Sequence, residues 1–138
     1  MKPKQLTIQA YHNQISELCD LVQEIARQSG FNETTAYSCS LAAAEACENI
    51  IHHGYGGETH HEITLNIETT VTGSLMLTLS DEAPAFNASL KPEQSTWSPE
   101  NPPVGGLGLR IIHRVMDEVL YERTSSQNIL TLIKHIQQ

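Results

Sequence analysis

The chain is poor in basic residues, in cysteines and in long apolar runs, and these shortages exclude several classes of function. Only eight of the 138 residues are lysine or arginine, against sixteen aspartates and glutamates, which gives a formal net charge of −8. The sequence contains no stripe or cluster of basic side chains, whereas contacts to phosphate dominate the affinity of nucleic-acid-binding proteins. The composition therefore argues against direct binding to nucleic acid.

Apolar runs are short, and the amino terminus carries no export signal. No hydrophobic segment approaches the roughly 20 residues that a membrane-spanning helix needs, and the first five residues are not followed by the apolar core of a signal peptide. We therefore expect no membrane segment and a cytoplasmic location. The length suits a single domain, residues 1–138, with its own hydrophobic core.

The three cysteines have no spacing typical of a metal or redox site. Cys19, Cys39 and Cys47 form no Cys-x-x-Cys pair, their number is odd, and all three fall in predicted helices. Buried, reduced thiols are therefore expected.

Histidine occurs in two adjacent pairs, His52-His53 and His60-His61. Such pairs raise the question of a metal site, but they flank an ordinary loop and match no compact zinc motif. A polar loop without metal is the favoured interpretation. His53 is the exception, because it follows Asn49 by four residues and would share its helical face.

Hydrophobic periodicity predicts a two-layer α+β sandwich, in which helices cover one face of a mostly antiparallel sheet. An apolar stripe marks a first helix that Asn13 is placed to cap and that ends near Gly30. An alanine-rich run marks a second helix that Asn32 is placed to cap and Gly54 to end. The later helix is expected at residues 107–116, and strands are expected at residues 6–10, 62–70, 74–80, 118–123 and 128–136.

Residues 87–104 form a long gap in this pattern. The gap shows no periodicity and contains four prolines and the single tryptophan, Trp97. A loop of this length inside one domain is either functional or a plain surface connector, and the sequence leaves both open. Trp97 either packs on the body of the domain or contacts a partner.

A glycine-rich segment follows the gap, Gly105-Gly106-Leu107-Gly108-Leu109, directly before an amphipathic run. Glycines allow the backbone to approach a ligand closely, and the N–H groups at a helix start favour an anion. The spacing matches neither the dinucleotide fingerprint nor the P-loop. Taken alone, the segment also fits an ordinary turn.

Two motifs with carboxylates precede the glycines. Glu45 and Asn49 are four residues apart in the second predicted helix, so they share one face. A carboxylate and a carboxamide there suit a general base and a magnesium ligand, although a solvated polar face is the commoner outcome. Asp81 follows a predicted strand and precedes the turn at Pro84, where an isolated aspartate usually serves turn geometry.

Taken in order, these motifs resemble the ATP-binding signature of the Bergerat-fold superfamily. The resemblance is greatest to its small anti-sigma-factor serine/threonine kinases. Residues 49–55, Asn-Ile-Ile-His-His-Gly-Tyr, are similar to the end of the asparagine helix in that group, and residues 84–87, 116–119 and 128–132 are similar to its later turn and strands. The resemblance spans nearly the whole chain and implies the Bergerat ATP-binding fold.

The resemblance implies a role for each motif. Glu45 would be the general base, Asn49 would bind magnesium with support from His53, and Asp81 would accept a hydrogen bond from the adenine amino group. The glycine segment would hold the phosphates of ATP at the helix start. Ala83 departs from the family, which usually has a glycine there so that adenine approaches the backbone, and the turn must therefore keep φ negative.

The implied function is magnesium- and ATP-dependent phosphorylation of a serine on a small anti-anti-sigma (STAS-type) protein. A sigma factor as a second partner is left open, and a homodimer is implied because kinases of this group form dimers. The segment 87–104 would correspond to the ATP lid. The main alternative is a non-catalytic module that sequesters a partner, in which nucleotide only stabilises the shape.

Overall fold

A five-stranded sheet forms one layer of the structure. The computed structural model describes residues 4–87 and 106–136. Each neighbouring pair of strands is antiparallel, and the order is β1-β2-β3-β5-β4. The five predicted strands are confirmed, although the boundaries of four of them shift by one to three residues. The strands are β1 (Lys4–Ala10), β2 (Thr59–Thr69), β3 (Leu75–Asp81), β4 (Glu118–Arg123) and β5 (Asn128–Lys134).

Three helices form the second layer. They are α1 (Ile15–Gln28), α2 (Glu33–Asn49) and α3 (Gly106–Val115), and α2 packs against both of the others. The apolar stripe of α1 joins one core with alternate residues of the strands, such as Leu77 and Leu79 of β3. Because alternate strand residues point to opposite faces, the helices cover one face of the sheet, which confirms the two-layer α+β prediction. None of these described helices is long and apolar enough to cross a membrane.

The start of α1 differs from the prediction. Asn13 does not cap this helix, because a 3₁₀-helix at His12–Gln14 comes first and Gln14 takes the N-cap position without a capping bond. The Gln14 side chain instead accepts a hydrogen bond from the backbone N–H of Gln9 at 2.7 Å. That contact ties the helix start to the end of β1.

The second helix begins as predicted and ends differently. Oδ1 of Asn32 accepts a hydrogen bond from the backbone N–H of Thr35 at 2.8 Å, which confirms the cap. The α-helix stops at Asn49, and the chain continues as a π-helical turn at Ile50–Gly54. This wider turn contains His53, the fourth residue after Asn49.

The cysteines are free thiols in or beside the core, as predicted. Cys39 and Cys47 are fully buried, and the half-buried Cys19 donates to the carbonyl oxygen of Ser40 with a distance of 3.4 Å. Burial raises the pKa of Cys19 and of Cys39 to about 11. Both therefore stay protonated, and poorly reactive, at neutral pH.

Candidate functional site

Gly108 of α3 lies against Glu45 and Asn49 of α2. A Cβ atom built on Gly108 would lie 2.9 Å from Oε2 of Glu45 and 3.4 Å from Oδ1 of Asn49. Because the first distance is shorter than a van der Waals contact, a larger residue at this position would require the end of the Glu45 side chain to move. The structure therefore brings together Glu45, Asn49 and one glycine of the predicted site.

Asn49 has a buried polar atom that the protein does not satisfy. The residue is 5% exposed, and its Nδ2 has no hydrogen-bond partner among the described residues. A buried polar group without a partner costs about 1–3 kcal/mol. An unpartnered Nδ2 near the start of α3 fits a binding site in which a polar ligand supplies the missing hydrogen bond. A rotation of the Asn49 amide would present its oxygen, instead of Nδ2, to a cation.

Glu45 lies half-buried at the same place. Burial, and secondly the neighbouring carboxylate of Glu48, raise the pKa of Glu45 above its ordinary value of 4.5. A carboxylate with a raised pKa holds a proton more readily than an exposed one. That is the property that a general base requires.

Asp81 is a buried carboxylate at the end of β3. Its Oδ1 accepts hydrogen bonds from Nδ2 of Asn128 and from the backbone N–H of Ala83, both at 2.9 Å. Burial raises the pKa of Asp81, and these hydrogen bonds and the charge of Arg123 lower it in part. The turn therefore uses Oδ1, whereas Oδ2 accepts no hydrogen bond from the described residues.

A narrow pocket lies between α2 and the β3–β5 part of the sheet, with Asn49 and Asp81 both in its wall. Apolar side chains supply most of its surface. An apolar slot with a few convergent polar groups is the common composition of a small-molecule site. The described residues that line it are Ala46, Asn49, Ile50, Gly54, Asp81, Phe86, Tyr121, Asn128 and Leu130.

The turn after Asp81 accommodates Ala83 without strain. No non-glycine residue in the described ranges has a positive φ, so Ala83 keeps the negative φ that an alanine requires. The residue is 1% exposed, and its Cβ would lie 3.0 Å from a Cβ built on Gly54. The methyl group therefore packs on Gly54, at the end of the π-helical turn.

Asn128, which the sequence marks only as the start of a strand, is the hydrogen-bonding centre of this turn. Besides Asp81, its Nδ2 donates to the carbonyl oxygens of Ala83 and Pro84, each at 3.1 Å. Its Oδ1 accepts from the Tyr121 hydroxyl at 2.6 Å. The backbone N–H of Phe86 also donates to Oδ1, at 3.2 Å, so five contacts converge on one carboxamide that is 4% exposed.

Strand pairing explains why Asn128 belongs to the candidate site. Asp81 of β3 stands directly opposite Asn128 of β5, and Arg123 of β4 stands opposite Asn128 on its other side. Nη1 of Arg123 donates to the carbonyl oxygen of Ala83 at 2.7 Å. A polar residue at a buried strand position is the only hint in the sequence, and it becomes informative only when the register is known.

The other predicted site residues are placed less directly. His53 does not line the pocket, but its ring stacks on Phe86, which does, with centroids 5.5 Å apart. Gly106 opens α3 and Leu107 follows it, whereas the half-buried Leu109 packs against the core. Gly105 and the expected lid with Trp97 lie outside the described residues.

The chain belongs to the histidine kinase-like ATPase domain family, whose sequence model matches residues 8–134. That span contains Glu45, Asn49, Asp81 and the glycine segment. The predicted membership of the superfamily is therefore confirmed.

Within that class, the chain is similar to serine-protein kinases named RsbW. It is 30% identical over 121 residues to the RsbW of Halalkalibacterium halodurans, covering 84% of this chain and 72% of that relative. It is also 30% identical over 118 residues to the RsbW of Bacillus mycoides, covering 82% and 72% of the two chains. These relatives confirm the predicted resemblance to small serine/threonine kinases.

Two solved structures share the fold at low sequence identity. The RsbU and RsbW domains of a Mycobacterium tuberculosis protein match with a TM-score of 0.68 and 15% identity, over 100% of this chain and 33% of that one. A chain of the SiaB-SiaC complex from Pseudomonas aeruginosa matches with a TM-score of 0.67 and 12% identity, over 94% and 88% of the two chains. Both likenesses confirm the predicted fold.

Proposed function

We propose that this chain is an ATP-binding regulator that phosphorylates a serine or threonine on a small anti-anti-sigma (STAS-type) protein. The close approach of Gly108 to Glu45 and Asn49 carries the proposal, because it sets a base and a carboxamide beside a glycine helix. The 30% identity to serine-protein kinases supports the same chemistry.

Asp81 selects adenine in this proposal. Its Oδ1 is held by two hydrogen bonds of the protein, which leaves Oδ2 to accept one from the exocyclic amine of adenine. The apolar residues of the pocket would cover the faces of the base, and the turn at Ala83 would lie along its edge. Guanine offers an oxygen at the position of that amine, so the carboxylate disfavours it.

The phosphates would lie at the start of α3, facing α2. Residues Gly105 to Leu109 would supply backbone N–H groups and the positive end of the helix dipole. Oδ1 of the Asn49 carboxamide would be the magnesium ligand, once the amide rotates to exchange it with the unpartnered Nδ2, since magnesium prefers oxygen donors and takes few from the protein. The ion would supply charge neutralisation at the phosphates.

Glu45 would accept the proton of the attacking hydroxyl group. The hydroxyl oxygen of the partner forms a bond to the γ-phosphorus, the bond to the β,γ-bridging oxygen breaks, and ADP leaves with that electron pair. The raised pKa of Glu45 suits this role, and its position beside Gly108 places it at the phosphate end of the site.

Phosphorylation would change the affinity of the partner. A phosphoserine carries about two negative charges at neutral pH, and this chain has a net charge of −8. Repulsion then contributes to release of the modified partner, which leaves the chain available to a sigma factor as a second partner. A cytoplasmic location belongs to this proposal, since the three reduced thiols suit a reducing compartment.

Transfer of radiolabel from γ-labelled ATP to the purified partner tests the catalytic part. Glu45→Gln should still bind ATP in calorimetry while the transfer rate falls, typically 10²–10⁴-fold for a lost general base. A partner whose acceptor serine is replaced by alanine is the matched control. Transfer by Glu45→Gln at the wild-type rate would remove Glu45 from the mechanism.

The alternative function is a binding module without catalysis. Membership of the ATPase domain family supports ATP binding whether or not the chain is a kinase, because ATP binding and phosphate transfer would use the same pocket. If ATP binds and changes capture of the partner while no label is transferred, the chain sequesters its partner without phosphorylating it.

A homodimer is also proposed. In the described sheet, β1 and β4 are edge strands, and an edge strand presents unpaired backbone groups to another chain. Light scattering on the eluting protein measures the mass in solution. A mass equal to one chain over the working concentration range would exclude the dimer.

A further inference from the structure

A second cluster of ligand-type side chains lies beside the carboxyl end of α2, outside the pocket. It consists of His12 from the 3₁₀-helix, Glu48 from α2 and His52 from the π-helical turn. The nucleotide proposal uses none of these three residues. We name this group the His12–Glu48–His52 cluster.

The donor atoms of the cluster converge on one point. Oε2 of Glu48 lies 2.8 Å from Nδ1 of His12 and 3.5 Å from Nε2 of His52. The three donor atoms all lie within 4.8 Å of one another. Zinc bonds to imidazole nitrogen and carboxylate oxygen measure about 2.0–2.2 Å, so donors separated by these distances need only small side-chain movements to share one ion.

Both histidine rings face the same oxygen of Glu48. The ring centroids of His12 and His52 are 5.1 Å apart, and one nitrogen of each ring points to Oε2 of Glu48. A divalent cation placed among these atoms would be bound by two imidazole nitrogens and one carboxylate at once.

The local backbone holds the cluster in place. The backbone N–H of His12 donates to Oε2 of Glu58 at 2.8 Å, which anchors the 3₁₀-helix. Glu48 and His52 are four residues apart along one helical run. The side chains of His12 and His52 are 40% and 57% exposed, so an ion has access from solvent and room for a water ligand.

We propose that His12, Glu48 and His52 bind one divalent transition-metal ion, with zinc as the representative. Two imidazoles and one carboxylate with an open position form a donor set that zinc accepts. The ion links the segment before α1 to the turn that follows Asn49. Its role is to fix these two segments relative to each other, and the proposal does not depend on the kinase function.

Calorimetry on chelator-treated, tag-free protein tests the site with zinc chloride. We expect one ion per chain, with the affinity falling more than about tenfold in each of His12→Ala, His52→Ala and Glu48→Gln. His60→Ala is the matched control, because His60 is an exposed histidine stacked on His61 outside the cluster and its loss should leave the affinity unchanged.

Cobalt(II) gives a second readout that does not depend on heat. The wild type should show the intense visible absorption of a low-coordinate cobalt site, and the three cluster variants should lose it, while circular dichroism confirms that they remain folded. The proposal is overturned if the wild type binds no zinc, if the cluster variants bind it as tightly as the wild type, or if only His60→Ala loses it.

Discussion

At the scale of single residues, the pairing of Asp81 with Asn128 sets the chemistry of the pocket. The two side chains meet because β3 and β5 place them opposite each other, and the hydrogen bond between them fixes Oδ1 of Asp81. An aspartate in a turn was predictable from the sequence. The carboxamide that orients it was not, because strand register depends on contacts distant in sequence.

Asp81→Asn should change the nucleotide preference. An asparagine keeps the Oδ1 acceptor for Asn128 and for the N–H of Ala83, but it replaces Oδ2 with a donor. That donor opposes the adenine amine and suits the guanine oxygen. Loss of a hydrogen bond to a charged group costs about 1.5–3 kcal/mol, which corresponds to a tenfold to hundredfold weaker affinity for ATP.

Calorimetry with ATP and GTP measures this preference. The ratio of the two affinities should move towards GTP in Asp81→Asn. An unchanged ATP affinity in the variant would show that Asp81 serves only the geometry of the turn.

The same substitution should alter the pH dependence of stability. Burial raises the pKa of Asp81 above its ordinary 3.8. At a pH between the unfolded and the folded pKa, Asp81 is therefore protonated in the folded state and ionised in the unfolded state. The free energy of unfolding contributed by this group therefore falls as the pH rises from the unfolded to the folded pKa. Asp81→Asn removes that titration, so the variant should gain stability over the wild type across this window and keep the gain at neutral pH.

Urea unfolding of both proteins, in buffers from acidic to neutral pH, follows the difference. Nucleotide must be absent, because ligand binding would add its own stabilisation. A stability difference that stays constant over the whole range would contradict the raised pKa.

At the scale of elements, the helices and strands follow from periodicity, whereas the π-helical turn does not. Alanine content and the Asn32 cap predict α2, but nothing in the sequence shows that α-helical bonding stops at Asn49. His53 lies in this turn, and its ring stacks on Phe86. The π-helical turn lengthens the hydrogen-bond spacing by one residue. Such a change depends on tertiary contacts, and here it lies beside the candidate site.

The contact between Gly54 and Ala83 predicts a rescue between two elements. Gly54→Ala would place its Cβ 3.0 Å from Cβ of Ala83, so the two segments must separate by a few tenths of an ångström. Overpacking of this kind typically costs about 1–3 kcal/mol. Adding Ala83→Gly removes the opposing methyl group and should recover part of that loss.

Denaturant unfolding of the two single variants and the double variant forms a double-mutant cycle. The Ala83→Gly variant alone should lose slightly in stability and bind ATP as the wild type does, because the turn already keeps φ negative. Additive losses in the double variant would show that the two residues do not share this contact.

At the scale of the whole molecule, the order of the motifs was more informative than any one of them. Glu45 with Asn49, Asp81 and the glycines each fit an ordinary structural role, and their sequence order carried the family resemblance that the match over residues 8–134 confirms. Only the fold shows how α2 and α3 bring Gly108 against Glu45. The His12–Glu48–His52 cluster escaped the sequence pattern because His12 lies 36 positions before Glu48 and meets it only in the folded chain.

The overall charge of the chain predicts a strong dependence of ATP affinity on magnesium. With eight basic residues against sixteen acidic ones, few side chains offset the charge of a triphosphate, and only Lys91, Arg110 and Arg114 lie near the glycine segment in sequence. Backbone amides and a divalent cation must then neutralise the phosphates. Removing magnesium with a chelator should therefore weaken ATP binding by more than about tenfold, or 1.4 kcal/mol.

Adenosine provides the matched control, since it carries the base without the phosphates. Its affinity should depend on Asp81 and remain the same with and without magnesium, whereas ATP should respond to both. Calcium can be added back to distinguish a general charge effect from a preference for the smaller ion, which favours octahedral geometry. If ATP binds equally well in chelator, the protein itself neutralises the triphosphate, and the magnesium role proposed for Asn49 is wrong.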